Sequence, residues 1–125
     1  DVRPLRPLTP AALAGPFLRD LDAELTRAGV AIAHLKVFAE AASGSLKAGI
    51  CRNGERPAVE GALDAVPSLK HRLVVNLRAT GAPETLSAAV RSAARRLPGR
   101  VRVRHHESFR PAPPQPERRI ATEEP

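Results

Sequence analysis

A chain of 125 residues, 42% of them hydrophobic, is long enough to bury one core without help from disulfides or a structural metal, and its single cysteine, Cys51, excludes an internal disulfide and a zinc site built on several thiolates. With no Trp, Tyr or Met and only three Phe (Phe17, Phe38, Phe109), that core has to be filled by Leu, Val and Ala. The formal charge of +7 is local rather than spread: residues 91–110 hold seven Arg against Glu107 alone, an excess of six.

The N-terminal VRPLRP predicts a short strand, restricted to a sheet edge because Pro4 and Pro7 lack an amide donor. Thr9 followed by Pro10 reads as a helix start, with Thr9 as N-cap. Leu13, Phe17, Leu21 and Leu25 recur every four residues, with Leu18 adjacent, and make one apolar stripe. Gly15-Pro16 interrupts it, so either the helix kinks there or the regular helix begins at Pro16. Gly29 is placed to end it.

Residues 30–39, VAIAHLKVFA, alternate by twos and predict a strand partly apolar on both faces. Val30, Ile32, His34, Lys36 and Phe38 share one face, and Ala31, Ala33, Leu35, Val37 and Ala39 the other. A polar link with Gly44 suits a hairpin with a loop of a few residues. The return strand follows over 46–52, with Leu46, Ala48 and Ile50 on one face and Lys47, Gly49 and Cys51 opposite. Asn53-Gly54 is a turn signal. Residues 55–70 have no clean period and read as an insertion with a helical turn near 59–65.

Residues 71–79 predict another strand, with Leu73, Val75 and Leu77 inward and Arg72, Val74, Asn76 and Arg78 opposite. A helix then opens at Pro83 and stops at Pro98-Gly99. Residues 100–106, RVRVRHH, alternate strictly, with Val101, Val103 and His105 on one face and Arg100, Arg102, Arg104 and His106 on the other. The organisation expected is one α+β domain over 1–110, a ferredoxin-like two-layer sandwich with a mostly antiparallel sheet, an additional strand and two helices on one face. A Pro-rich mobile tail over 111–125 completes it. No run approaches the length of a membrane-spanning helix, so no membrane partner is expected and the composition fits the cytoplasm. The start at Asp1, with neither Met nor signal-peptide core, reads as a cut inside a longer protein.

No GxxxxGK[ST], HExxH, GxSxG or paired-cysteine motif occurs, so hydrolytic, zinc or P-loop chemistry has no support and no catalytic residue is expected. His34, Cys51 and His71 are the weak candidates for a metal, since strand pairing might bring them together, but none has a closely spaced partner typical of such a site. The basic strand has a sharper reading. Arg100, Arg102 and Arg104 project about 7 Å apart from one face and suit RNA phosphates or an acidic protein surface. A free-standing module binding nucleic acid through them is the alternative; against it stands the scarcity of aromatic stacking partners, with only Phe38 on the central strands.

Three segments resemble the C-terminal domain of the CobW family of P-loop GTPases. Arg6-Pro7-Leu8-Thr9-Pro10 stands where that family has an RPF-HP segment entering a helix. Ala33-His34-Leu35-Lys36-Val37 stands where it has a strand with Arg-x-Lys-Gly, and Leu73-Val74-Val75-Asn76-Leu77-Arg78 stands before an acid-led helix at Pro83-Glu84. The similarity runs from about Val2 to Arg96; His34 replaces the usual Arg, Val37 replaces the Gly, and the strand after Arg100 is not a general family feature. The resemblance implies a non-catalytic docking and regulatory domain of a GTP-dependent metallochaperone or metal-cofactor insertase. GTP and a divalent metal such as zinc or cobalt would belong to the parent protein, and the implied partners are its N-terminal GTPase domain and a metal-requiring client. His34, Lys36, Arg78, Arg100, Arg102 and Arg104 are the expected contact residues.

Overall fold

The structure, a computed structural model, describes residues 1–104; the predicted tail, Phe109 and the His105-His106 pair lie outside the described residues. The elements in chain order are β1 (Val2–Arg3), α1 (Pro10–Arg27), β2 (Ile32–Ala41), β3 (Gly44–Ile50), β4 (Ala58–Gly61), β5 (Arg72–Ala79), α2 (Pro83–Ala94) and β6 (Arg100–Val101). Strands β4-β3-β2-β5 form one antiparallel sheet in that order, and β1 pairs with β6 in a second. Two isolated antiparallel bridges, Val2↔His71 and Leu8↔Ser68, set the first segment beside the entry to β5. Joined there, the strands read β6-β1-β5-β2-β3-β4. The fold is the α+β, ferredoxin-like sandwich expected, with the β3–β4 hairpin as the addition to the βαββαβ frame.

Thr9 caps α1: its backbone is extended and its hydroxyl accepts the Ala12 N–H at 3.1 Å, with Pro10 in the first turn. The helix runs unbroken through Gly15-Pro16. Pro16 lies on the solvent side, as does Ala12, so the carbonyl that loses its intrahelical donor to the proline ring belongs to an exposed residue. Leu13, Phe17, Leu18, Leu21 and Leu25 are buried along the predicted stripe. Phe17, Leu18, Leu21 and Leu25 pack with Leu35, Val37 and Ala39 of β2, Leu46, Ala48 and Ile50 of β3, and Leu86, Ala89 and Ala93 of α2. Each Leu so buried is worth about 1.5–3 kcal/mol, which is how a core almost without aromatics holds. Both helices thus cover one face of the sheet, and Glu24 fastens them: its carboxylate accepts the Ser92 hydroxyl at 3.0 Å and pairs with Arg27 and Arg96, each at 2.8 Å.

Three expectations need correction. The hairpin loop is only two residues, since Ala41 pairs with Gly44. Residues 58–61 are the edge strand β4, exposed along its whole length, where a helical turn was expected; the segment pairs with β3 because backbone groups left unpaired beside an open edge find partners there. The third concerns the alternation of β2, which changes phase. Its register against β5 shifts between Ile32 and His34, a bulge at Ala33. Val30 and Ile32 consequently join Leu35, Val37 and Ala39 inside, and the strand has one buried face, with His34, Lys36 and Phe38 half-buried on the other.

The basic strand is also shorter than its sequence suggests. β6 contains only Arg100 and Val101, and Val103 is 58% exposed, so the strict alternation does not propagate through Arg104.

Candidate functional site: the open basic sheet face

Register decides which charges meet. On β5, Leu73, Val75 and Leu77 turn toward the helices, as does His71 by the same alternation, so Arg72, Val74, Asn76 and Arg78 look outward. Val2 opposes His71 and both are buried, which puts Val2 on the helix side and Asp1 and Arg3 on the outer one. Across the ribbon, Arg3 faces Arg100 and Asp1 exchanges two backbone hydrogen bonds with Arg102: the Asp1 amino group donates to the Arg102 carbonyl at 2.8 Å and the Arg102 N–H donates to the Asp1 carbonyl at 2.9 Å. The uncovered face of the composite sheet therefore collects Arg3, Lys36, Lys47, Arg72, Arg78, Arg100 and Arg102. Arg104 joins them by pairing with Asp1 at 3.2 Å. Glu40 and Glu60 oppose this charge from the β2–β4 side, with Glu60 engaged by Lys47 at 3.0 Å.

Five of the six expected contact residues thus gather at two ends of one face, with Arg104 joined to them through Asp1. His34 stands opposite Arg78, and Lys36 is flanked by Asn76 on β5 and Gly49 on β3. A Cβ at position 49 would lie 3.1 Å from the Lys36 Cγ, so glycine is what lets the aliphatic stem of Lys36 rest across β3 while its ammonium stays at the surface. Phe38 shares this face, between Lys47 and Val74. Arg100 and Arg102 stand at the far edge, two strands beyond β5.

The metal candidates do not come together. His34 belongs to the open face, Cys51 is exposed just past β3, and His71 is buried on the helix side, where a ring nitrogen, Nε2, donates to the Ser68 carbonyl at 2.8 Å. Its Nδ1 is buried and has no hydrogen-bond partner among the described residues. A shared ion cannot be held from opposite faces of a sheet, so these three residues do not fit a common metal, and among the described residues no group of three or more His, Cys, Asp or Glu is placed to hold one.

Asn53 carries a role that the turn signal alone did not suggest. Continuing the β2–β3 register, in which Leu35 pairs with Ile50, Asn53 falls opposite Ile32. There its side chain replaces the missing strand. Oδ1 accepts the Ile32 N–H at 2.8 Å, and Nδ2 donates to the Val30 carbonyl and the Thr26 hydroxyl, each at 2.9 Å. The neighbouring Gly54 N–H donates to Asp22 at 2.9 Å. This clamp anchors the strand just before the bulge that sets the direction of His34 and Lys36. Nearby, Glu55 accepts the Cys51 N–H and pairs with Arg52 at 3.5 Å; the Cys51 bond first, and then Arg52, keep its carboxyl below the usual range.

On the other side of the sheet, the hairpin extends past the cover of the helices. A groove of about 550 Å³ opens there between α1 and β3–β4, lined mainly by Ala11, Ala14, Leu18, Ala48 and Val59. Among the described residues no helix is long and apolar enough to cross a membrane. No protein-family model, curated protein or solved structure matches the chain.

Proposed function

We propose that this chain is a non-catalytic docking and regulatory domain of a CobW-like, GTP-dependent metallochaperone or metal-cofactor insertase, working in the cytoplasm. The observation that carries the proposal is the predominantly basic open sheet face, where Lys36 and Arg78 on the central strands and Arg3, Arg100 and Arg102 on the ribbon point the same way. A face of this kind steers and orients an acidic partner surface. The layout similarity of residues 2–96 supplies the partner: the parent's GTPase domain, with a metal-requiring client as the second contact. GTP and the zinc or cobalt would be handled by that parent domain.

Two measurements test this. The reading frame upstream of Asp1 should encode a GxxxxGK[ST] loop. The separately produced upstream domain should bind this chain with an affinity that falls as salt rises and falls again in Lys36→Ala and Arg78→Ala. A frame without the loop, or binding indifferent to both substitutions, would sink the proposal.

A second reading is favoured by one feature, the placement of Phe38 on the arginine-bearing face, which offers one stacking platform beside phosphate-binding groups. In that reading the partner is single-stranded RNA. Retention of an RNA oligomer that weakens steeply with salt is its expected signature, and no retention at low salt removes it.

A further inference from the structure

The β1–β6 ribbon sets like charges against each other. Arg3 and Arg100 are direct register partners, and Arg102 stands diagonally beyond them, opposite Asp1. Like charges opposed on neighbouring strands are unfavourable. Nothing among the described residues relieves them: Arg3, Arg100 and Arg102 have no ion pair there, and the Asp1 carboxylate is taken by Arg104. The backbone nonetheless holds the arrangement closed. Gly99, at φ 80, brings the start of β6 so near that a Cβ there would lie 2.2 Å from the Arg3 carbonyl oxygen. Asp1, Arg3, Arg100, Arg102 and Arg104 line a cleft of about 310 Å³.

The geometry points to a phosphate-binding site in this cleft, in which Arg3, Arg100 and Arg102 hold one multiply charged phosphate or diphosphate and the Asp1–Arg104 pair forms a wall. A carboxylate carries a single charge, and that of Asp1 is already paired with Arg104 through Nε and Oδ2 at 3.2 Å. Three further forks call for more oxygens and more charge, and a phosphate has both. At about 30 Å³ per water, the cleft has room for a diphosphate with part of its hydration. This site does not rest on the docking reading, because a small anion needs no partner protein.

The test is a titration of the isotope-labelled 125-residue chain with pyrophosphate at low ionic strength, followed by NMR. Saturable shifts centred on the amides of Arg3, Arg100 and Arg102 are expected. Arg100→Gln should weaken binding by about tenfold or more, as loss of a charge-assisted contact does. Arg102→Gln should do the same if the first variant disturbs β6, while Arg91→Gln, exposed on α2 and outside the cleft, should leave the affinity unchanged. Displacement of pyrophosphate by a short single-stranded RNA would assign the phosphate to a nucleic-acid backbone, and failure to displace it would assign a free phosphate. Shifts that grow linearly without saturating, or an affinity equal in the wild type and both cleft variants, would overturn the site.

Discussion

Replacing Asn53 with Ala removes a side chain that no apolar residue can imitate. Three hydrogen bonds disappear, to the Ile32 N–H, the Val30 carbonyl and the Thr26 hydroxyl. Val30 and Ile32 are each 5% exposed, so water has poor access to the two backbone groups left behind. A typical bond contributes about 1 kcal/mol net, and an unsatisfied buried backbone group costs about 1–3 kcal/mol. The Thr26 bond is exposed and adds little, so the expected loss is about 3 kcal/mol. Urea unfolding followed by circular dichroism measures it, with a lower midpoint and an unchanged slope as the expected pattern. A second consequence is local: amide exchange at Ile32 and His34 should accelerate more than at Val37, because the bulge is no longer held from the β3 side. A loss under about 1 kcal/mol would refute the assignment of Asn53 as the substitute strand, since it would mean that both backbone groups had found other partners.

Gly99→Ala is expected to force the start of β6 away from Arg3, with about 1–3 kcal/mol of backbone strain before the clash is counted; faster exchange at Arg102, whose N–H bonds Asp1, reads the displacement. Lys36→Ala should cost under about 1 kcal/mol, because the ammonium is at the surface and only the packing of its stem is lost; a larger loss in thermal unfolding would place Lys36 on the wrong face. Glu24 has its carboxyl held below the ordinary value, first by the Ser92 hydroxyl and then by Arg27 and Arg96. A carboxylate depressed in the folded state stabilises above its unfolded value and loses that contribution as pH falls through the folded one. The stability gap between wild type and Glu24→Gln should therefore be constant near neutrality and narrow below about pH 5, as acid titration of the two melting curves would show.

The helices and the three longer strands were legible because their apolar periods are local properties of the sequence. Thr9-Pro10, the stripe from Leu13 to Leu25 and the alternations of β3 and β5 each carry their own geometry. The bulge at Ala33 was hidden, since nothing in VAIAHLKVFA marks it and its anchor, Asn53, is 21 residues away from Ile32. β4 was missed for a related reason: a short exposed edge strand has no buried face to imprint a period. His71 stood in the sequence only as a weak metal candidate at a strand entry. Its burial comes from the first residues of the chain, through the bridge with Val2. Of the basic face, sequence spacing placed Arg100 and Arg102 on one side of a strand, but their alignment with Arg3, Arg72 and Arg78 depends on which strands become neighbours. The tertiary pairing of the ribbon supplies that.

That pairing also works as a clasp. Asp1 and Arg102 are 101 positions apart in sequence and touch through reciprocal backbone hydrogen bonds. The fold thus closes on itself like a ring with a noncovalent fastener, and its points of entry and exit lie side by side. A ring made of residues 1–102 can be spliced into a surface loop of a host protein without prying the host loop apart, and residues 1 and 102 can be joined and the ring reopened elsewhere with little rearrangement. The turn at Ala42-Ser43, where the β2–β3 hairpin reverses, is the natural place to cut such a circular permutant.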